Sequence, residues 1–200
     1  MKLKIILFFI LYTAALFGQT DTSLVLVSSL DSTIITDVRY ATENNFTHKV
    51  LYPSAKVYLR HDAAVQLAKA NEFLKKTYNL RIKIFDGYRP LSVQKYMWSI
   101  MPNENFVADP AKGSRHNRGC AADVTLIDQS GRELDMGTQF DDFTPKARPD
   151  YQDISDRAAA NRKILKLAMM QFGFIQMETE WWHFDFNGWE KYSILDIPIK

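Results

Sequence analysis

Two short stretches of the chain carry side chains whose types and spacing suit metal chemistry. Residues 114–123 read SRHNRGCAAD, so His116 precedes Asp123 by seven positions at the entrance to the run AADVTLI. Residues 178–186 read ETEWWHFDF and place Glu180 three positions before His183. A buried carboxylate is costly unless something compensates it. Read alone, Asp123 can be satisfied by backbone N–H groups or by Arg115 or Arg118, and the second stretch can be a Trp-rich core strand with a histidine at its edge.

Taken together, the stretches offer two imidazoles, one carboxylate and a spare glutamate. Zinc sites that do chemistry typically use three protein ligands drawn from His, Asp and Glu and leave a fourth position to water. Zinc lowers the pKa of that water to about 7, and a neighbouring carboxylate removes its proton and later gives it to a leaving amine. Three ligands alone make a binding site; Glu180 beside them makes a hydrolase. One geometric condition applies, because on a straight strand residues three apart face opposite ways. Glu180 and His183 can serve one site only if the chain bends at Glu180 to Trp181.

Hydrolysis also needs positive charge facing the developing oxyanion. Arg89, in FDGYRP at the end of an alternating segment, sits in a rigid turn and can supply it, although an Arg before Pro is equally at home in a surface ion pair. The other histidines, His48 and His61, lack such company and read as surface or hydrogen-bonded residues. Cys120, between Gly119 and Ala121, reads as a small buried side chain.

These residues need elements to position them. The spacing predicts a helix from Asp62 to about Tyr78, with Ala64, Leu67, Ala68, Leu74 and Tyr78 on one stripe and Asn71 interrupting it. LRIKIFDGYRP alternates as a strand ending at Asp86-Gly87, and Ser92 to about Met101 reads as a short helix. Ala121 to Ile127 reads as a strand with Asp123, Thr125 and Ile127 on one face. A second long helix follows from Ser155 to Phe172, on the stripe Ala158, Arg162, Leu165, Ala168, Met169 and Phe172, stopped by Gly173. WWHFDF, residues 181–186, reads as a strand. Between Asp128 and Asp153 no periodicity survives, and the aromatic and Met content favours an ordered flap. These elements do not form regular βαβ units, so the expected fold class is α+β with a central, mainly antiparallel sheet and helices packed on it.

The first residues, MKLKIILFFILYTAALFGQT, have the layout of a secretory signal: two lysines, an apolar stretch from Ile5 to Phe17, then Gly18 and polar sequence. That stretch is shorter than the ~20 residues a spanning helix needs. The expected division is a signal peptide over residues 1–18 and a single domain over 19–200, exported, with no stable membrane association after cleavage. With 25 basic and 23 acidic residues the formal charge is +2, which leaves no electrostatic footprint for nucleic acid. One cysteine cannot close an intramolecular disulfide, so the domain depends on its core and any bound ion.

SRHNRGCAAD fits the pattern S-x-H-x-x-G-x-A-x-D, and EWWH fits E-x-x-H with an aromatic just before the His. In these the chain resembles the zinc peptidases of the D-alanyl-D-alanine dipeptidase and carboxypeptidase group, which share a fold with the hedgehog signalling domain. With FDGYRP and LDMGTQFDDF added, it is most similar to the dipeptidase branch, which includes the vancomycin-resistance enzyme, over about Asp37 to Tyr192. The resemblance implies one zinc ion per chain held by His116, Asp123 and His183, Glu180 as general base and acid, and Arg89 polarising the scissile carbonyl. It also implies a bare dipeptide substrate, with Asp142 toward its ammonium and Ser114 toward its carboxylate. Two rivals remain: a D,D- or L,D-carboxypeptidase trimming peptidoglycan stems, and a non-catalytic zinc or wall-binding module. The export signal departs from what a resistance enzyme needs, and periplasmic salvage of wall-derived dipeptide suits it better.

Overall fold

The structure is a computed structural model that describes residues 23–200; the leader expected over residues 1–18 lies outside them. Seven strands and four α-helices follow in the order β1 (Leu24–Leu26), α1 (Val27–Leu30), β2 (Ile35–Thr36), β3 (Tyr58–Arg60), α2 (His61–Tyr78), β4 (Arg81–Asp86), α3 (Leu91–Ile100), β5 (Ala121–Ile127), α4 (Asp156–Gln171), β6 (Phe174–Gln176) and β7 (His183–Phe186). Five strands form the central sheet in the order β2-β4-β5-β7-β6. Only β2 and β4 run parallel; the other three pairings are antiparallel. β1 and β3 make a separate antiparallel pair. This is the expected α+β class.

β5 occupies the middle of the sheet and is buried along its whole length. On one face Ala122, Val124 and Leu126 join Ile82 and Ile84 of β4, Leu67 and Leu74 of α2, and Leu165, Ala168 and Met169 of α4 in the apolar core. The opposite face, with Asp123 and Thr125, lies under the 128–153 connection, whose residues 133–140 line a cavity together with Thr125. Two polar groups stand inside the α2 and α4 stripes for structural reasons. Asn71, fully buried, donates to Asp31 Oδ2 at 2.7 Å and to Thr33 Oγ1 at 3.0 Å, and accepts from the Ile82 N–H at 2.8 Å, so it ties α2 to β4. Tyr78, expected on the buried stripe, is instead 40% exposed, because α2 ends there at Asn79 in the left-handed conformation. Asp62 sits in the first turn of α2 without capping it and accepts from the Tyr192 hydroxyl. Ser155 caps α4 by accepting from the Ala158 N–H at 3.1 Å.

The flap is ordered. Met136, Phe140 and Ala147 enter the core, and a short 3-10 turn forms at Pro145–Ala147. Arg162, only 4% exposed on α4, gathers three flap carbonyls: Met136 O at 2.7 Å, Arg148 O at 2.8 Å and Lys146 O at 3.0 Å. WWHFDF is a strand only from His183 onward, since Trp181 and Trp182 belong to the turn before it.

Replacing Arg162 with Met keeps the stem and orphans three carbonyls, each costing ~1–3 kcal/mol where buried. Arg162→Met is therefore expected to lower Tm by about 5 °C or more in a chain of this length, read by thermal unfolding. Proteolytic nicking should begin within residues 136–148.

Candidate metal centre and active site

Three elements bring the candidate ligands to one point. Asp123 on β5 and His183 on β7 are register partners, so their side chains stand side by side on one face. His116 opens a 3-10 turn, His116–Arg118, closed by Gly119 at φ 69°. A Cβ at Gly119 would lie 2.7 Å from Leu24 Cδ2 and 3.2 Å from the Arg60 nitrogen, so the turn needs a glycine on both counts. Asn117 fastens this turn, donating from Nδ2 to Arg89 O at 2.9 Å and accepting from the Ser114 N–H at 2.8 Å.

Among the described residues, His116, Asp123 and His183 form one buried group whose ligand atoms lie within 4.8 Å of one another. His116 Nε2 and His183 Nδ1 are 3.2 Å apart, Asp123 Oδ1 is 3.0 Å from His183 Nδ1, and Asp123 Oδ2 is 3.4 Å from His116 Nε2. Ligands at ~2.0–2.1 Å around a tetrahedral ion are separated by roughly 3.3–3.4 Å, so these spacings suit zinc. The outer nitrogens fix the tautomers. His116 Nδ1 lies 2.7 Å from the Gly87 carbonyl, which can only accept, and His183 Nε2 lies 2.9 Å from Asp185 Oδ1. With both outer nitrogens donating, both inner nitrogens aim lone pairs at each other and at Asp123. Such a donor set fits a cation.

The electrostatics agree. Burial disfavours a charged His183, but Asp185 and Asp123 outweigh it and hold its pKa well above the ordinary value. Burial alone would raise Asp123; His116 and His183 draw it below the usual carboxylate range. Glu180, in the turn before β7, has its carboxylate 4.0 Å from His183 Nδ1, so the required bend is present. Burial pushes its pKa up to about 7.

A cavity of about 470 Å³ opens over these groups, lined also by Arg89, Ser114, Arg115, Asp141 and Tyr40. Arg89 is 8% exposed; its Nε and Nη2 donate to Asp86 Oδ2 at 3.1 and 2.8 Å, and its Nη1 donates to Gln94 Oε1 at 2.9 Å. Asp86 also accepts from the Tyr52 hydroxyl and the Gly87 N–H, both at 2.9 Å. A register shift between Ile84 and Asp86 puts Asp86 opposite Asp123, turning it from the face of Ile82 and Ile84 to that of the site.

The carboxylate expected at the ammonium position, Asp142, requires correction. It does not line this cavity, and its Oδ1 accepts from the Thr144 N–H at 2.9 Å. Its neighbour Asp141, at φ 59°, does line it and accepts from the Tyr40 hydroxyl at 3.1 Å. Burial, then Asp123 and Glu180, push Asp141 well above the usual carboxylate pKa. His48 and His61 lie outside the site, and burial lifts the Cys120 thiol to about 12. Sequence reasoning gave no role to Asp86, Asp141 and Asp185; Asp185 alone had a signal, its place two residues after His183 on the same strand face.

The family model described as D-ala-D-ala dipeptidase matches residues 20–194. The chain belongs to the D-alanyl-D-alanine dipeptidase family. That family is one of zinc metallopeptidases, and the His116, Asp123 and His183 donor set is of the kind such an enzyme requires. A D-alanyl-D-alanine dipeptidase of Escherichia coli is 35% identical over 159 residues, covering 80% of this chain and 82% of that one. Another, from Enterococcus faecium, is 32% identical over 187 residues, covering 82% and 92%. A solved structure of VanYB in complex with D-Alanine-D-Alanine overlaps 69% of this chain and 76% of its own, at 16% identity and a TM-score of 0.43.

In this dipeptidase, Asp123→Ala is expected to abolish binding of one equivalent of zinc. Asp185→Ala, which frees the outer nitrogen of His183, should weaken binding by ~10- to 100-fold. Competition with a chelator, on protein whose circular dichroism is unchanged, measures both; wild-type affinity in Asp123→Ala would remove it as a ligand.

Proposed function

We propose that the chain is an exported, periplasmic zinc dipeptidase that hydrolyses D-Ala-D-Ala to two D-alanines. In this reading His116, Asp123 and His183 hold the ion and Glu180 is the general base and acid. The observation that carries it is Glu180 itself, a half-buried carboxylate 4.0 Å from a candidate ligand nitrogen and facing the same cavity. A module that only bound zinc would have no use for an uncoordinated acid there.

Bound at these ligands, zinc would polarise the scissile carbonyl and bring the pKa of a water to about 7. Glu180 takes a proton from the attacking water and delivers it to the leaving amine, and its pKa of about 7 suits both transfers. Arg89 presents a charge already locked by Asp86 and Gln94, so it needs no reorganisation as negative charge grows on the carbonyl oxygen. Asp141 receives the substrate ammonium, whose charge offsets the burial and the neighbouring Asp123 and Glu180 that raise its pKa.

Two wall residues bear on recognition of a peptide: Gln176 Oε1 has no hydrogen-bond partner, and Arg115 Nε has only its ion-pair contact with Asp185. The Gln176 amide is oriented by its Nε2, which donates to Trp181 O at 2.9 Å, so the oxygen is left to accept. Arg115 Nε, a donor 3.5 Å from Asp185 Oδ2, stands with Ser114 for the substrate carboxylate.

Export rests on the leader, residues 1–18, beyond which the family match begins at residue 20. Outside the inner membrane the enzyme would salvage wall-derived dipeptide.

The test is release of D-alanine from D-Ala-D-Ala by zinc-loaded mature protein. Glu180→Gln should keep its zinc and lose on the order of 10²- to 10⁴-fold in kcat. A zinc-loaded wild type inert toward the dipeptide would overturn the assignment.

A further inference from the structure

The scissile bond is the same in D-Ala-D-Ala and at the end of a longer stem peptide, so the enzyme can tell them apart only by the nitrogen, a charged amine in one and an acylated amide in the other, and by the space beyond it. A second space, of about 250 Å³, shares four lining residues with the main cavity. Asn105, Phe106, Thr179 and Glu180 line both, and Phe143 and Asp142 line the second alone. The second space therefore reaches the carboxylate read as the general base.

Phe106 lines both spaces, and its ring partner Phe143 lines the second. Phe106 and Phe143 face each other with centroids 4.8 Å apart and planes tilted by 35°. Phe143 also meets Phe46 edge-on at 5.4 Å, and Phe46 meets Tyr40 at 6.2 Å, whose hydroxyl donates to Asp141. Phe46, Phe106 and Phe143 come from three different connections, and all three are half-buried. Ring contact joins those connections beside the cavity. The tight turn at Asp141 sets this up: Phe140 enters the core, Asp141 the cavity, Asp142 binds the Thr144 N–H, and Phe143 reaches Phe106.

We propose that the Phe106–Phe143 pair is the specificity-determining barrier that limits this enzyme to dipeptides, and that the space behind it accepts one further residue when the barrier is removed. The inference rests on the dipeptidase reading, with Asp141 taking the substrate ammonium. A tripeptide in that position carries its amine one residue farther out, into the space lined by Asp142. The reaction is unchanged: water adds its oxygen to the carbonyl carbon, the C–N bond of the terminal D-alanine breaks, and the proton goes to the departing amine.

The experiment compares kcat/KM for D-Ala-D-Ala and for L-Ala-D-Ala-D-Ala, by D-alanine release, in zinc-loaded wild type, Phe143→Ala and Phe106→Ala. Wild type should favour the dipeptide by 100-fold or more, and each variant should cut that ratio at least tenfold through a higher kcat/KM for the tripeptide. The two variants remove the barrier from different loops, so either one that folds and holds zinc decides the matter. An unchanged ratio in a folded, zinc-loaded variant overturns the barrier, as does a wild type that cleaves both peptides equally. A wild type inert toward the dipeptide overturns the dipeptidase reading, and the barrier falls with it.

Discussion

The lone pairs of His116 Nε2, His183 Nδ1 and Asp123 converge within 3.0 to 3.4 Å of one another, and they repel unless something positive lies between them. Rotating either ring away would break its outer bond, to the Gly87 carbonyl or to Asp185, inside a buried site where a lost partner is expensive. The protein is thus built around a point that only protons or a cation can satisfy. Against the opposing effect of burial, Asp185 and Asp123 push the His183 pKa up, so metal binding must displace protons. Much of the surrounding fold can be understood as the means of keeping three side chains from escaping this arrangement.

Arg89 depends on the same design one strand away. A guanidinium that is 8% exposed needs a carboxylate beside it, and Asp86 can serve only because the register shift at Phe85 turns it toward the Asp123 face. Without the bulge, strict alternation would send Asp86 into the apolar layer with Ile82 and Ile84. The bulge, the Asp86 to Arg89 pair and the Asn117 bridge to the Arg89 carbonyl together fix a cation beside three acids, the buried Asp123 and the half-buried Asp141 and Glu180. The acids outnumber the fixed cations at this cavity, which favours an ion and a substrate ammonium entering together.

This balance also explains which features could be read from the residues. β5 and α4 appear where their periodicity puts them, because each buries one face against a large core and local pattern and tertiary packing agree. The grouping of His116, Asp123 and His183 was legible because imidazoles beside carboxylates are scarce and fit few purposes. Asp86 was not, since a bulge is a tertiary choice that leaves no mark on an alternating segment. That Asp141 and not Asp142 lines the cavity was hidden for a similar reason: a non-glycine residue at φ 59° reverses which of two adjacent acids points inward. β1, β2, β3 and β6, at two or three residues each, are too short to carry a period, and the two tryptophans of WWHFDF resembled strand while forming the bend that Glu180 needs.

The flap shows how a long irregular segment can be held as firmly as a strand. Its rigidity does not come from a hydrogen-bonded ladder of its own. One guanidinium on α4, in a position that periodicity marks as core, collects three of its carbonyls, while Met136, Phe140 and Ala147 anchor it in apolar contacts. Arg can do this where Leu could not, because its planar fork satisfies several acceptors at once while its stem packs like an aliphatic chain. Once the backbone on either side of Asp141 is held in this way, the strained turn there is tolerated, and four consecutive side chains can be aimed at four different targets. Selectivity for a small peptide then follows from ring positions on loops, and the metal centre need not change for the enzyme to accept a longer one.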